Sequence, residues 1–222
     1  MKAIVFDLDG TLIDSAPDLQ HIANLVLAQE EAAPVTLSDA RSYIGNGAAV
    51  FVSRMMAARG LPEADHARLR RAFIDLYDDA TAHTMIYPGV ISALDALAAA
   101  GYAMGVCTNK PLSPARAVLA HFGLRERFAC VVGGDTLAHH KPHPAPLLHA
   151  FDLLGAKDHL YVGDSEIDYQ TAIAAAVPFA FFTEGYRKSP LSDFPPRCPL
   201  PISQPCRASP KTSLHDPSRL VV

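Results

Sequence analysis

The sequence predicts an α/β fold: a parallel β-sheet with helices on both faces, into which an all-helical unit is inserted after the first strand. Three observations predict it. Short apolar runs alternate with helix-like patterns over most of the chain, the signature of a parallel sheet covered on both sides. Residues 15–86 break that alternation with helical patterns alone. Polar clusters rich in Asp, Thr and Lys follow the first four apolar runs, where open parallel sheets collect ligands.

The first run, "AIVF" (3–6), leads straight into Asp7 and Asp9. The insertion follows with "APDLQHIANLVLAQEE", "GAAVFVSRMMAARG" and "EADHARLRRAFIDLYDDATAH", all of helical apolar spacing, and "YPGV" (87–90) marks the return to the core. The remaining strands are read at "AMGVC" (103–107), "ACVV" (129–132), "LYV" (160–162) and "FAFF" (179–182). Gly101, Gly123 and Gly155 stand where helix C-caps belong, and Ser113-Pro114 reads as an N-cap and first helical residue. The predicted division is therefore 1–14 and 87–188 for the core and 15–86 for the helical unit. A tail, 189–222, holds eight prolines in 34 residues. Proline breaks helices and gives no N–H to a sheet ladder, so the tail is expected to be irregular and disordered. Its mix of Pro, Arg, Ser and Cys resembles out-of-frame translation of a GC-rich gene.

Half of the 222 residues are hydrophobic, which excludes wholesale disorder. A net charge of −4 without a basic block argues against a nucleic-acid partner. No segment reaches about 18 consecutive apolar residues, and the N-terminus lacks a signal-peptide pattern. The expected location is the cytoplasm, without a membrane partner; nothing in the sequence fixes an oligomeric state. Cys107 and Cys130 lie in apolar runs and read as buried free thiols. His139, His140 and His143 bracket Lys141 but lack a Cys or carboxylate partner at ligand spacing, so they read as solvated loop residues.

The polar clusters converge on one chemistry. Asp7 and Asp9 follow the first strand, Thr108-Asn109-Lys110 the second, Lys141 the third, and Gly163-Asp164 the fourth. Asp168 comes one helical turn after Asp164 and can face the same point. Several carboxylates around one point call for a cation, and an all-oxygen set suits Mg²⁺. With a cation and a lysine nearby, Asp7 stays ionised and can attack phosphorus as a nucleophile. Asp9 can protonate the leaving oxygen and later deprotonate the attacking water. Gly10 lets the chain turn sharply away, Thr108 can hold non-bridging oxygens, and Lys141 can neutralise charge on the transferred group.

Motif by motif, "DLDGT", "CTNK", "HKPHP" and "GDSEID" resemble the four signatures of the haloacid-dehalogenase superfamily of Mg-dependent phosphatases. The insertion resembles the helical cap of the phosphoglycolate-phosphatase-like branch, as do "YIGNGAAVFV" (43–52), "YPGV" and "TNKP". The resemblance spans residues 1–188. It implies a Rossmann-like core with a helical cap, and hydrolysis of a small phosphorylated substrate, 2-phosphoglycolate, through an aspartyl-phosphate. It implies Asp7 as nucleophile and metal ligand, and Asp9 as acid/base with its carbonyl on the metal. Asp164 becomes a metal ligand and Asp168 a support of the metal site. Thr108, Asn109 and Lys141 handle the phosphate, and Asn46, within Gly45–Gly47, reaches in from the cap. One departure is Ala176, where the branch carries glycine; alanine there costs about 1 kcal/mol if the backbone needs positive φ. Dehalogenation needs no Asp9, and phosphonate hydrolysis needs a cap lysine that residues 15–86 lack. Sugar-phosphate phosphatase, phosphomutase, pyrophosphatase and nucleotidase chemistries stay open, as does a catalytically silent binding module.

Overall fold

The computed structural model describes residues 2–77, 80–194 and 220–221. In chain order, β1 (Lys2–Phe6) leads through β2 (Ile13–Asp14) into α1 (Ala16–Gln29), α2 (Leu37–Tyr43), α3 (Gly47–Arg59) and α4 (His66–Asp75). The chain returns through β3 (Met85–Ile86) to α5 (Val90–Ala99), β4 (Ala103–Cys107), α6 (Leu112–His121) and β5 (Cys130–Val132). It continues with α7 (Ala145–Leu154), β6 (Asp158–Gly163), α8 (Glu166–Ala174) and β7 (Phe179–Phe182), then β8 (Leu220–Val221).

The sheet order is β5-β4-β1-β6-β7-β8, parallel except for β8. The order reverses on either side of β1, so the carboxyl ends of β1, β4 and β6 open into one crevice. Burial on both faces explains the unbroken apolar runs. Ile4 and Phe6 of β1 pack with Val90, Leu94, Val118 and Leu119 on one side. Ala3 and Val5 pack with Leu147, Phe151 and Leu154 on the other. Cys107 and Cys130 are buried free thiols, as expected, and burial pushes the Cys107 thiol up to about 12.

The insertion is all-helical and has a core of its own. Leu19, Ile22, Val26 and Leu27 of α1 meet Phe51, Met55 and Met56 of α3 and Phe73 of α4. Its two passages to the sheet are zipped together by β2 and β3, which pair antiparallel at Ile13–Ile86 and Asp14–Met85. That ribbon is absent from the sequence reading, because two residues are too few to show a period.

Beside the ribbon, Asp18 is a buried carboxylate with its acceptors filled. It receives His83 N at 3.0 Å, Thr84 N at 2.7 Å and Thr84 Oγ1 at 2.5 Å, and His83 Nδ1 lies 2.9 Å away. Burial would raise this carboxyl, but the bonds from Thr84 and His83 prevail and hold it below the ordinary value of 3.8. Asp18→Ala should destabilise the fold by about 2–4 kcal/mol, since it strands several buried donors. The sign of the pH effect follows from the lowered value. The stabilisation is complete above pH 3.8 and fades as pH falls through the lower folded-state value. Urea midpoints of the two proteins should therefore differ at neutral pH and converge in acid; a constant gap would assign the effect to packing alone.

Two helix boundaries differ from expectation or explain it. α6 starts at Leu112, before Ser113, because Leu112 N donates to Asp135 Oδ1 at 2.8 Å. A cap supplied from a distant loop leaves no local signal. Ala176 does adopt φ 55°, the left-handed conformation in which a side chain is disfavoured.

The junction between core and tail, and the first tail residues, are docked on the core. Lys188 N and Ser189 N donate to Glu166 Oε1 at 2.8 and 2.7 Å, Leu191–Asp193 forms a 3-10 turn, and the Phe194 ring sits 5.0 Å from that of Tyr169. Leu220–Val221, in the apolar, proline-free end of the tail, adds an edge strand to β7. These segments depart from a wholly irregular tail, and the Phe194 ring anchors the first of them. The disorder and reading-frame expectations for 195–219 lie outside the described residues. No helix among the described residues is long and apolar enough to cross a membrane.

Candidate active site

The crevice is built at the ends of three adjacent strands. Asp7 N donates to Val162 O at 2.8 Å, extending the β1–β6 pairing by one residue and setting Asp7 at the rim. The chain then turns tightly, with the N–H groups of Leu12 and Ile13 both on Leu8 O at 2.9 and 3.1 Å. Gly10 has φ 90°, and a β-carbon there would collide with the Asp164 carboxylate. Only glycine serves both demands.

Asp164 and Asp168 enter from β6 and α8. Asp164 accepts from Thr11 Oγ1 at 2.9 Å and from Tyr186 N at 2.6 Å. Asp168 closes a capping box with Ser165 at the start of α8. Its other oxygen receives Tyr161 Oη and Lys141 Nζ, each at 2.6 Å. Lys141 is almost wholly buried and also lies 2.9 Å from Asp7 Oδ1. Two opposing carboxylates hold the lysine well above its ordinary pKa despite burial.

One lysine does not neutralise three acids. Burial first, and the Asp168 charge second, raise Asp7 to about 7 against the pull of Lys141. The same two causes, with Asp7 added, raise Asp164 well above the ordinary range. Asp168 stays low because Lys141, Ser165 and Tyr161 outweigh its burial. Ligand oxygens of Asp7, Asp164 and Asp168 lie within 4.8 Å of one another, and among the described residues no donor is aligned on buried Asp7 Oδ1, although Lys141 Nζ is near it. An all-oxygen, under-neutralised set fits a hard divalent cation.

Asp9 stands apart from that cluster. Its Oδ1 accepts from Ser15 Oγ at 2.6 Å and faces Lys110 Nζ at 3.4 Å. Above it is a cavity of about 40 Å³, lined on the core side by Asp7, Asp9, Thr108, Asn109 and Lys110. Leu19, Ile44, Phe51, Phe73 and Tyr77 supply its largely apolar cap wall. The space holds roughly three waters at 10–15 Å³ each, a scale that suits a small ligand.

Most predicted residues meet here, with two adjustments, at Asn109 and Asn46. Asn109 lines the cavity, but its amide is a staple. It donates to Gly45 O of the cap and Lys141 O, both at 2.9 Å, and accepts from Lys141 N at 2.9 Å. Thr108 Oγ1 accepts from Lys110 N at 3.1 Å, which leaves its own proton for a ligand. Asn46 does not line the cavity: Gly45 and Gly47 do, and Asn46 sits at the N-cap of α3 with no side-chain cap bond. The three histidines form no cluster with metal-ligand geometry among the described residues, although His139 and His143 stack at 4.1 Å.

Lys110, Tyr77, Ser15 and Tyr186 had no assigned role in the sequence reading. Buried Tyr186 ties the acid cluster to the cap stem. Its N–H holds Asp164, while its hydroxyl donates to Asp14 Oδ1 at 2.7 Å and accepts from Ser15 N at 2.9 Å and Ala16 N at 3.1 Å. Ser15 then holds Asp9. The motif "TEGYR" carries Tyr186, but no local pattern foretells a partner 171 residues away.

The sequence profile of the haloacid dehalogenase-like hydrolases matches residues 4–182. The chain belongs to that family. Among related hydrolases, the phosphoglycolate phosphatase of Cereibacter sphaeroides (strain ATCC 17025) is 46% identical over 198 residues, covering 88% of this chain and 91% of the relative. The one from Rhodospirillum rubrum is 45% identical over 200 residues, covering 86% and 83%. In structure, the chain is similar to a predicted phosphoglycolate phosphatase from Haemophilus somnus, with a TM-score of 0.81, 34% identity, and coverage of 88% and 92%. The family match over residues 4–182 and the structural likeness both span the core and the helical insertion of this chain.

Proposed function

We propose that this hydrolase cleaves the phosphomonoester 2-phosphoglycolate with Mg²⁺ held by Asp7, Asp164 and the Asp9 carbonyl, Asp168 bracing the site. The observation that carries the reading is the separation of Asp7 and Asp9 into two environments. Asp7 belongs to the buried acid cluster beside Lys141, and Asp9 faces the cavity between Ser15 and Lys110. Two acids in different surroundings take different roles. The names of the relatives at 46% and 45% identity supply the substrate.

Asp7 attacks phosphorus and forms an aspartyl-phosphate while Asp9 gives a proton to the departing glycolate oxygen. Asp9 then takes a proton from the water that cleaves the acyl phosphate, returning both carboxyls to their starting state. Thr108 donates to a non-bridging oxygen, and Lys141 compensates charge on the Asp7 side. A bound Mg²⁺ supplies charge neutralisation for the acids and the phosphate oxygens. The apolar cap wall excludes bulk water.

Phosphate release from 2-phosphoglycolate and a panel of other small esters, with and without Mg²⁺, tests this reading. Chelation should silence turnover, and Mg²⁺ should restore it better than Ca²⁺, whose larger shell of 6–8 ligands draws in both oxygens of Asp7. Equal rates with the two ions, or no release from 2-phosphoglycolate, would count against it.

A further inference from the structure

We infer that Lys110 and the Tyr77 hydroxyl form a carboxylate subsite for the leaving group, so that the enzyme selects phosphoesters bearing an acid beside the ester oxygen. This deepens the phosphoglycolate reading and rests on it. Lys110 Nζ donates to Tyr77 Oη at 2.9 Å and to Asp9 Oδ1 at 3.4 Å, and it lies 4.1 Å from the Tyr77 ring centroid. An ammonium has three donors, so one remains. Both residues line the cavity yet are nearly buried, at 6% and 7% exposure.

Position relative to Asp9 gives the subsite its meaning. Asp9 must lie within hydrogen-bonding reach of the leaving oxygen to protonate it. In 2-phosphoglycolate one methylene separates that oxygen from the carboxylate, so the carboxylate falls beside Asp9. Among the described residues, the cation that touches Asp9 is Lys110. Lys141 is committed to Asp7 and Asp168, and among the described residues Leu19, Ile44, Phe51 and Phe73 close the rest of the cap side without charge. A carboxylate among those side chains would be costly unless it met the ammonium. Tyr77, from the chain just after α4 of the cap, can pass a hydroxyl hydrogen bond to the same group. Cap closure and recognition of the acid are then one event, because the lysine belongs to the core and the tyrosine to the cap.

The test compares kcat/KM for 2-phosphoglycolate and ethyl phosphate, which lacks the acid, in wild type, Lys110→Met and Tyr77→Phe. Lys110→Met should reduce the preference for 2-phosphoglycolate about 100-fold, the scale expected when one partner of a buried charge pair is removed. Inhibition by glycolate should weaken more than inhibition by inorganic phosphate. Tyr77→Phe keeps the ring in the cap core and should reduce the preference about 5-fold, the scale of one hydrogen bond. If Lys110→Met fails to fold, the Tyr77→Phe preference decides. Equal losses on both esters, or an unchanged preference in Tyr77→Phe, would overturn the subsite while leaving the substrate reading intact. A wild type that does not favour 2-phosphoglycolate over ethyl phosphate would overturn both.

Discussion

Asp7→Asn should lose essentially all turnover, a fall of at least about 10⁴-fold, as expected when a covalent nucleophile is replaced by an inert isostere. No phosphate should be trapped on the protein, because an amide oxygen cannot form the acyl phosphate. Stability should move the other way. In the metal-free protein Asp7 is raised to about 7 by burial and by the Asp168 charge, despite Lys141. A carboxyl whose folded value lies above its unfolded value favours the fold at low pH. That contribution is lost as pH rises from about 4 towards 7. Asn carries no titrating charge, so this part of the pH dependence should vanish in the variant. Metal-free Asp7→Asn should match or exceed wild-type stability at neutral pH while remaining inactive. Residual activity of several per cent would place the nucleophile elsewhere.

That opposition between activity and stability explains why the first acid was legible in the sequence. A strand pattern that runs into two carboxylates breaks the rule against crowding like charge, and such breaks concentrate at functional sites. The same logic exposed Asp164, directly after β6, and Lys141, in the loop after β5. The five parallel strands were legible because burial on both faces leaves them continuously apolar, and each was placed to within two residues. The β2–β3 ribbon escaped because two-residue strands have no period. The α6 start escaped because Asp135 caps Leu112 from 23 positions away. Tyr77 and Tyr186, and the role of Lys110 within its cluster, escaped for a related reason. A lone lysine beside a strand and tyrosines near helix or strand ends are ordinary surface signals until tertiary contacts bury them. Asn109 was legible as a site residue but not in its manner of working. Its position drew attention, whereas its grip on Gly45 and Lys141 depends on how the cap sits. Asn46 shows the converse, since its two glycine neighbours line the cavity and its own side chain is not among the lining groups.

Lys141→Met should produce the second large effect, in both activity and metal response. The lysine reaches Asp7, Asp168 and Tyr161 at 2.9, 2.6 and 2.8 Å from a site that leaves it 2% exposed. Its backbone is clamped from both sides by Asn109. Methionine matches the chain length and lacks the charge, so the two acids lose their shared protein cation with little change in volume. Removing one partner of a buried pair costs about 3–5 kcal/mol, and an acid that takes up a proton instead reduces that loss. Activity should fall about 10³-fold, the scale of losing one preorganised charge at a transferring phosphoryl group. The decisive readout is the shift in urea midpoint on adding Mg²⁺. Lysine and metal neutralise the same carboxylates, so the shift should be larger in Lys141→Met than in wild type. Arginine should not substitute, because its planar fork cannot reproduce three convergent contacts of a compact ammonium. An identical Mg²⁺ shift in wild type and variant would mean that lysine and metal act on separate acids, and Asp168 would then be the lysine's counter-ion rather than a brace for the metal.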